Sequence, residues 1–172
     1  MFPVIIIPAR LSSTRFPAKP LALIDGRELV LRVADIATNL LPKQHVYIAT
    51  DSDKIGQRVA DDGYQILMTS PNNLTGTDRV AEAATQIDAD FIINIQGDEP
   101  GIHPDQINQV AQLLADGAKL ASLAKPIAKA EELLDQNRVK VVMDASKKAL
   151  YFSRTPIPYF KGQPATDWVE RH

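Results

Sequence analysis

The sequence predicts an α/β protein with a doubly wound, mostly parallel sheet and helices on both faces. Short apolar runs alternate along the chain with segments whose apolar residues recur at helical spacing. The first run, residues 4–7, is a continuous stretch of branched side chains, which is typical of a strand buried on both faces of a parallel sheet. This alternating order of strands and helices is characteristic of doubly wound folds.

Each predicted helix and strand rests on a local feature of the sequence. Leu29, Val33 and Ile36 mark one face of a first helix, and Gly63 is suited to the end of a second. Thr75 or Thr77 can cap a third helix, and Pro104 can begin a fourth. Strands are predicted at residues 4–7, 46–50, 65–68, 91–96, 120–124, 139–143 and 150–153. A long loop is predicted from residue 8 to about 26, a short helix at 130–134, and a hairpin loop at 144–148.

Composition excludes several classes of protein. The 172 residues suit a single domain, 1–172, and the net charge of −2 argues against a broadly basic nucleic-acid binder. Because the chain has no cysteine, disulfide scaffolds, thiol nucleophiles and cysteine-based metal sites are excluded. No apolar run is long enough for a membrane span or a signal peptide, so we expect a cytoplasmic protein.

The loop after the first strand carries three cations, Arg10, Arg15 and Lys19, with the hydroxyl residues 12–14 between them. Parallel sheets bind ligands beyond the carboxyl ends of their strands, and guanidinium and ammonium groups there suit a polyphosphate. The alternative is a solvated surface loop with scattered charges. Neither a Walker loop nor a dinucleotide-binding glycine motif occurs in the chain.

Three further strand ends carry polar groups. Asp98 follows the strand at 91–96 and could hold Mg²⁺ or simply cap a turn. The segment from Thr75 to Arg79 could bind a base or phosphate at a helix start, or serve only as a helix cap. Asp51 is a pocket or a turn residue, with the turn favoured.

The histidines, at 45, 103 and 172, have no metal or triad spacing and are interpreted as surface residues.

Several segments together resemble the 3-deoxy-manno-octulosonate (Kdo) cytidylyltransferases, also called CMP-Kdo synthetases. The resemblance spans residues 4 to about 160. The segments that carry it are Pro8-Ala-Arg10, Ser13-Thr-Arg15 with Pro17 and Lys19-Pro-Leu21, Ala49-Thr-Asp51, Thr75-Gly-Thr-Asp-Arg79, Gln96-Gly-Asp-Glu-Pro100, Val139-Lys-Val-Val142, and Leu150-Tyr-Phe-Ser-Arg154 with Ile157-Pro158.

This resemblance implies a nucleotide-diphospho-sugar transferase type of fold and a reaction in which CTP and Kdo give CMP-Kdo and pyrophosphate, for lipopolysaccharide biosynthesis. The anomeric hydroxyl of Kdo would attack the α-phosphorus of CTP. The implied catalytic residues are Arg10, Lys19 and Asp98, with Asp98 as the ligand of a Mg²⁺ cofactor. The implied nucleotide-binding residues are Ala9, Arg10, Ser13, Arg15, Lys19, Thr75, Gly76 and Thr77, and those for the acidic sugar are Gln96, Arg154 and His172.

Two departures from the family pattern stand out. The family usually has glycine where this chain has Ala18, and alanine suits backbone conformations with negative φ. Family members also continue beyond the position of His172, in a part that supplies a second metal-binding Asp, much of the sugar pocket and part of a dimer contact. We therefore expect the domain to be incomplete at its C-terminal end. The alternatives are a CTP-binding but inactive homologue, or a transferase for another acidic sugar such as an amino-Kdo or sialic acid. The sequence leaves a homodimer open.

Overall fold

The computed structural model describes residues 3–11, 16–159, 161–164 and 167. Contacts group the chain into two compact units, Met1–Ser122 and Leu123–His172. The expectation of one domain over residues 1–172 stays a prediction. Among the helices of the described residues, none has the length and apolar character needed to cross a bilayer.

The first unit is built on a parallel sheet. In its described part, four strands pair in the order β5-β4-β1-β6, with β1 at Pro3–Ala9, β4 at Val46–Thr50, β5 at Gln65–Met68 and β6 at Phe91–Asn94. Pro8 is in register with Ala49, and Ile6 is in register with Asn94. All three inner ladders are parallel, so every strand ends at the same edge of the sheet.

Helices cover both faces of this sheet. Because side chains alternate along a strand, Ile5 and Ile7 face one side of β1 and Val4 and Ile6 face the other. The four helices are α1 Leu29–Ala37, α2 Asp53–Asp61, α3 Gly76–Ala84 and α4 Pro104–Ala115. The first side of the sheet packs against α1, α2 and α4, and the second side packs against α3. This arrangement confirms the predicted doubly wound α/β fold.

A small hairpin interrupts the loop that was predicted from residue 8 to about 26. Strand β2, Leu23–Ile24, pairs antiparallel with β3, Arg27–Glu28. Asp25 and Gly26 connect them with φ values of 47° and 77°, the left-handed conformations that a two-residue hairpin turn requires. A short 3₁₀ helix, Lys19–Leu21, precedes the hairpin, and a second, Lys43–His45, precedes β4.

The second unit contains helix α5, Ala130–Leu134, and an antiparallel hairpin of β7, Lys140–Met143, with β8, Ala149–Ser153. The predicted hairpin loop over 144–148 is confirmed. The predicted strand at 120–124 is wrong, because these residues have no regular structure and Leu120 is 92% exposed. An apolar run becomes a strand only when a neighbouring strand pairs with it.

Candidate active site

The carboxyl ends of β1, β4 and β6 bring the predicted site segments to one edge of the sheet. Ala9, the last residue of β1, is 3% exposed, and the exposed Arg10 follows it directly. Asp51 follows β4, and Gln96 and Asp98 follow β6. The parallel register therefore places these segments side by side.

Lys19 and Asp98 are in direct contact. The Lys19 Nζ donates a hydrogen bond of 2.7 Å to Oδ2 of Asp98, which makes an ion pair between residues 79 positions apart. The side chains are 42% and 56% exposed, so both groups remain accessible to a ligand. Leu21, at the end of the same 3₁₀ helix, packs against the core, which fixes the segment that carries Lys19. Asp98 therefore pairs with a cation across the edge, and the cap of α4 comes instead from His103.

Pro8 lies at the centre of the edge, where two glycines allow close packing. A Cβ atom at Gly97 would lie 2.6 Å from the carbonyl oxygen of Pro8, closer than side-chain carbons approach an oxygen. A Cβ atom at Gly76 would lie 3.0 Å from Oε1 of Gln96 and 3.3 Å from Cγ of Pro8. The segments around residues 8, 76 and 96 are therefore brought together.

The start of α3 is held by a capping box. Oγ1 of Thr75 accepts a hydrogen bond of 3.0 Å from the Asp78 N–H, and Oδ2 of Asp78 accepts one of 2.9 Å from the Thr75 N–H. The predicted cap at Thr75 is confirmed, and Thr77 lies in the first turn. The N–H groups of Gly76 and Thr77, at the first two helical positions, have no carbonyl partner within the helix, so they are suited to a polar or anionic ligand.

Glu82 orders the loop that leads into this helix. Its carboxylate accepts hydrogen bonds from the Asn73 side chain and the Ser70 N–H, and these hold the pKa of Glu82 below its usual value, the Asn73 contact having the larger effect. The loop before Thr75 is therefore tied to the body of α3.

Arg79 makes an ion pair that the sequence analysis did not predict, although it named the segment to which this residue belongs. Its side chain is 3% exposed, and its guanidinium donates to Oδ2 of Asp51 at 3.1 Å and to Oγ1 of Thr69. Oδ1 of Asp51 is buried and accepts no hydrogen bond from the described residues, so Arg79 is what offsets the burial of this carboxylate. Asp51 is thus an ion-pair partner that joins α3 to the end of β4, rather than only the turn residue that was favoured. An arginine beside the core residues Val80 and Ala83 was the available signal.

Ser13, Arg15 and His172 are outside the described residues. Arg154 belongs to the second unit, where its Nη1 donates to the carbonyl of Gln136 at 2.9 Å and its own carbonyl accepts from Nζ of Lys140 at 3.1 Å.

Ala18 does not adopt the negative φ expected of alanine. It has φ 55° and ψ 27°, in the left-handed region. Its N–H bonds to the Leu11 carbonyl at 3.1 Å and its carbonyl accepts from the Leu21 N–H at 2.9 Å. These bonds close the loop immediately before Lys19 and hold the residue in a conformation that favours glycine.

The chemistry of Asp98 fits a magnesium ion that arrives with a phosphate ligand. The carboxylate is exposed and already binds one cation, the Lys19 ammonium. Within the described residues there is no group of three or more acidic, histidine or cysteine side chains that could hold a metal ion. Mg²⁺ is usually bound by only one or two carboxylates together with substrate phosphates, so a single carboxylate at this edge is consistent with that mode.

Comparisons with known proteins identify the family of the chain. A profile of the cytidylyltransferase family matches residues 4–172. The 3-deoxy-manno-octulosonate cytidylyltransferases of Parabacteroides distasonis and Cytophaga hutchinsonii are each 42% identical, over 97% and 98% of this chain and 68% and 69% of their own lengths. The chain thus spans about two thirds of these relatives.

A solved structure of CMP:2-keto-3-deoxy-manno-octonic acid synthetase complexed with CTP superposes with a TM-score of 0.83 and 37% identity, over 94% of this chain and 68% of the other. A cytidylyltransferase from Leptospira borgpetersenii, 23% identical with a TM-score of 0.60 over 69% of this chain and 51% of its own, shares the fold. Sequence, sheet topology and these matches lead to one conclusion. The chain belongs to the cytidylyltransferase family and, within it, to the 3-deoxy-manno-octulosonate cytidylyltransferases.

Proposed function

We propose that this protein transfers the cytidylyl group of CTP to Kdo, releasing pyrophosphate and supplying CMP-Kdo for lipopolysaccharide biosynthesis in the cytoplasm. The observation that carries the proposal is the pair of Lys19 and Asp98 at the carboxyl edge of a doubly wound sheet, in a chain of this family. A cation for phosphates and a carboxylate for a metal ion are the two charges that nucleotidyl transfer needs side by side.

The residues would divide the work by charge. Arg10, Arg15 and Lys19 would hold the β- and γ-phosphates and stabilise the departing pyrophosphate. Ser13 would add a hydroxyl to the same phosphate-binding loop. Asp98 would hold Mg²⁺, which when bound supplies Lewis-acid polarisation and charge neutralisation at phosphate oxygens.

The base and the sugar would occupy neighbouring segments. The backbone of Ala9 and residues 75–77 would line the cytosine site, since both lie against Pro8 or beside it at the sheet edge. Gln96, which contacts the same edge, would face the sugar. Arg154 and His172 would also contribute to binding of the acidic sugar, and a homodimer is proposed as the assembly.

Asp98→Asn is the decisive variant. Pyrophosphate release with CTP, Kdo and Mg²⁺ should fall to background, while CTP affinity measured by calorimetry should largely remain, because the variant removes a metal ligand and not a phosphate contact. Glu99→Gln is the matched control, since it neutralises the neighbouring exposed carboxylate and should keep turnover. Full activity in Asp98→Asn would refute the metal assignment.

Ligand binding separates the proposed enzyme from its alternatives. Saturating CTP with Mg²⁺ should raise the midpoint temperature of thermal unfolding. At a CTP concentration of 100 times Kd, the folded state should gain about 2.7 kcal/mol in the free energy of unfolding. Lys19→Met should weaken CTP binding by roughly 1.5–3 kcal/mol, the range for a hydrogen bond to a charged group. CTP binding without pyrophosphate release would identify an inactive homologue, and release with a different acidic sugar would reassign the acceptor.

A further inference from the structure

The Lys19–Asp98 ion pair joins the two groups to which the proposed function gives separate ligands. Lys19 is assigned to the triphosphate and Asp98 to the metal ion, yet the ammonium and the carboxylate lie 2.7 Å apart. The inference that follows rests on that proposed function.

The ion pair and the ligands compete for the same atoms. A metal ion that binds Oδ2 of Asp98 must displace the Lys19 ammonium, and a phosphate that binds Nζ of Lys19 must draw it away from the carboxylate. Either ligand alone leaves one charged group without its partner. A triphosphate and a cation together replace the single contact with two contacts of opposite charge.

We infer that Lys19 acts as a stand-in cation on Asp98 and is exchanged for the metal ion when the triphosphate binds. The exchange couples the two ligands, so that each lowers the cost of binding the other. Asp98 has the Lys19 ammonium as its counter-ion whenever no metal ion is bound, and the metal ion is retained mainly when the nucleotide holds Lys19.

The exposure of the pair sets the size of the effect. Both side chains are about half exposed, and ion pairs of this kind change an equilibrium constant by a factor of about five at most. We therefore expect coupling of about two- to fivefold from this contact.

Metal binding without nucleotide tests whether Lys19 competes with the metal ion for Asp98. Mn²⁺ is titrated into ¹⁵N-labelled protein, and paramagnetic broadening is followed at the amide signals of Gly97, Asp98, Glu99 and Gly101. Lys19→Met should bind Mn²⁺ about two- to fivefold more tightly than the wild-type chain. Arg10→Met removes the same charge from an exposed residue of the same edge and should give a smaller change. Asp98→Asn should abolish the broadening at these residues.

CTP binding without metal tests whether Asp98 competes with the triphosphate for Lys19. In EDTA, Asp98→Asn should bind CTP about two- to fivefold more tightly than the wild-type chain, because Lys19 no longer has to leave a carboxylate. Glu99→Gln, which removes the adjacent negative charge, is the matched control and should change CTP affinity less.

The outcomes separate this inference from the proposed function. Unchanged Mn²⁺ affinity in Lys19→Met, or an equal gain in Arg10→Met, overturns the exchange even when wild-type pyrophosphate release is normal. A wild-type chain that binds CTP and never releases pyrophosphate overturns the proposed turnover, while tighter Mn²⁺ binding in Lys19→Met still supports the exchange.

Discussion

Ala18 holds a left-handed backbone conformation at the point where the loop returns to Lys19. Its φ of 55° places the Cβ close to the following carbonyl, which costs an L-residue other than glycine about 1–2 kcal/mol. The two backbone hydrogen bonds of Ala18 stabilise the conformation in spite of this cost. The sequence identified the position through its departure from the family glycine, but it could not supply the sign of φ, which depends on how the loop closes.

Ala18→Gly should therefore stabilise the protein. We expect a gain of about 0.5–1 kcal/mol in the free energy of unfolding, since relief of the left-handed strain exceeds the added freedom of the unfolded chain. Urea denaturation of both proteins measures it. Ala22→Gly is the matched control, because Ala22 has an ordinary φ of −66° and glycine there should destabilise the chain. Equal effects in the two variants would contradict the strain argument.

A side chain at Gly97 is excluded by a close neighbouring atom, whereas the backbone angles of this residue do not require glycine. A methyl group at this position would lie 2.6 Å from the Pro8 carbonyl oxygen, so β1 and the loop after β6 would have to separate. Gly97→Ala should lower the free energy of unfolding by about 1–3 kcal/mol, the cost of overpacking.

The same variant should raise the KM for CTP, because Pro8 lies next to the residues assigned to the base. Gly101→Ala is its control, since a Cβ there meets nothing within 4 Å. Its unfolding free energy should stay within about 0.5 kcal/mol of the parent. A neutral Gly97→Ala would show that the two segments are not packed as described.

At the scale of elements, the β2–β3 hairpin is anchored by charge. Arg27 donates to Asp35 at 2.9 Å and to Asp62 at 3.0 Å, and thereby connects β3 to α1 and to the end of α2. Glu28 accepts from Nε of Arg58 at 2.6 Å. With two residues in each strand, the hairpin has few hydrogen bonds of its own, so these ion pairs fix its position.

Arg27→Gln should loosen this anchor in a pH-dependent way. The Arg27 hydrogen bond holds the pKa of Asp62 below its ordinary value of 3.8, and the Arg58 hydrogen bond likewise lowers the pKa of Glu28 below 4.5. A carboxylate with a lowered pKa stabilises the folded state above its ordinary pKa, and this contribution is lost as the pH falls through the folded-state pKa.

We therefore expect Arg27→Gln to cost about 1.5–3 kcal/mol at pH 7, and progressively less as the pH falls below 3.8, the ordinary pKa of Asp62. Urea denaturation across pH 2.5–7 provides the comparison. Lys54→Gln, which removes a charge from the exposed face of α2, should show little loss at any pH. A loss for Arg27→Gln that is independent of pH would argue against the role of the carboxylates.

The elements differ in how far the sequence could predict them. The strands of the central sheet were predicted because continuous branched runs, as at residues 4–7, leave few alternatives. The β2–β3 hairpin was missed although Asp25-Gly26 is a strong turn signal, since its strands are too short to show an alternating pattern. The run at 120–124 shows the reverse error, an apolar pattern without a pairing partner.

At the scale of the whole molecule, apolar burial is unequal between the two units. Both clusters of buried apolar residues lie in the first unit. Among the described residues of the second unit, Leu133 is the buried apolar residue, and Leu150, Tyr151 and Phe152 of β8 are all more than half exposed. Local stability follows apolar burial, so the first unit should be the harder to open.

Hydrogen exchange should resolve this difference. For a stability of about 5 kcal/mol, amides of β1 should be protected by a factor of about 1,000 or more, since they open only with global unfolding. Amides of β8 should exchange far faster. Mass spectrometry or NMR at neutral pH gives both values in one experiment. Equal protection of the amides in β7, β8 and β1 would show that the two units unfold together.

The site was predictable in its types of residue and not in its contacts. Strand-end logic and family motifs led to Lys19, Asp98 and the segment at 75–77. That Lys19 pairs with Asp98, and that Arg79 is buried against Asp51, depends on side-chain directions set by packing. No pattern in the sequence specifies those directions.

Strand β1 precedes both of its partner strands in the chain. Residues 3–9 pair on one side with 46–50 and on the other with 91–94, so both edges of this highly apolar segment are satisfied only after residue 94 has left the ribosome. Until then the nascent polypeptide exposes an aggregation-prone stretch. Production of the protein in cells should therefore depend on chaperones that bind β1 during translation.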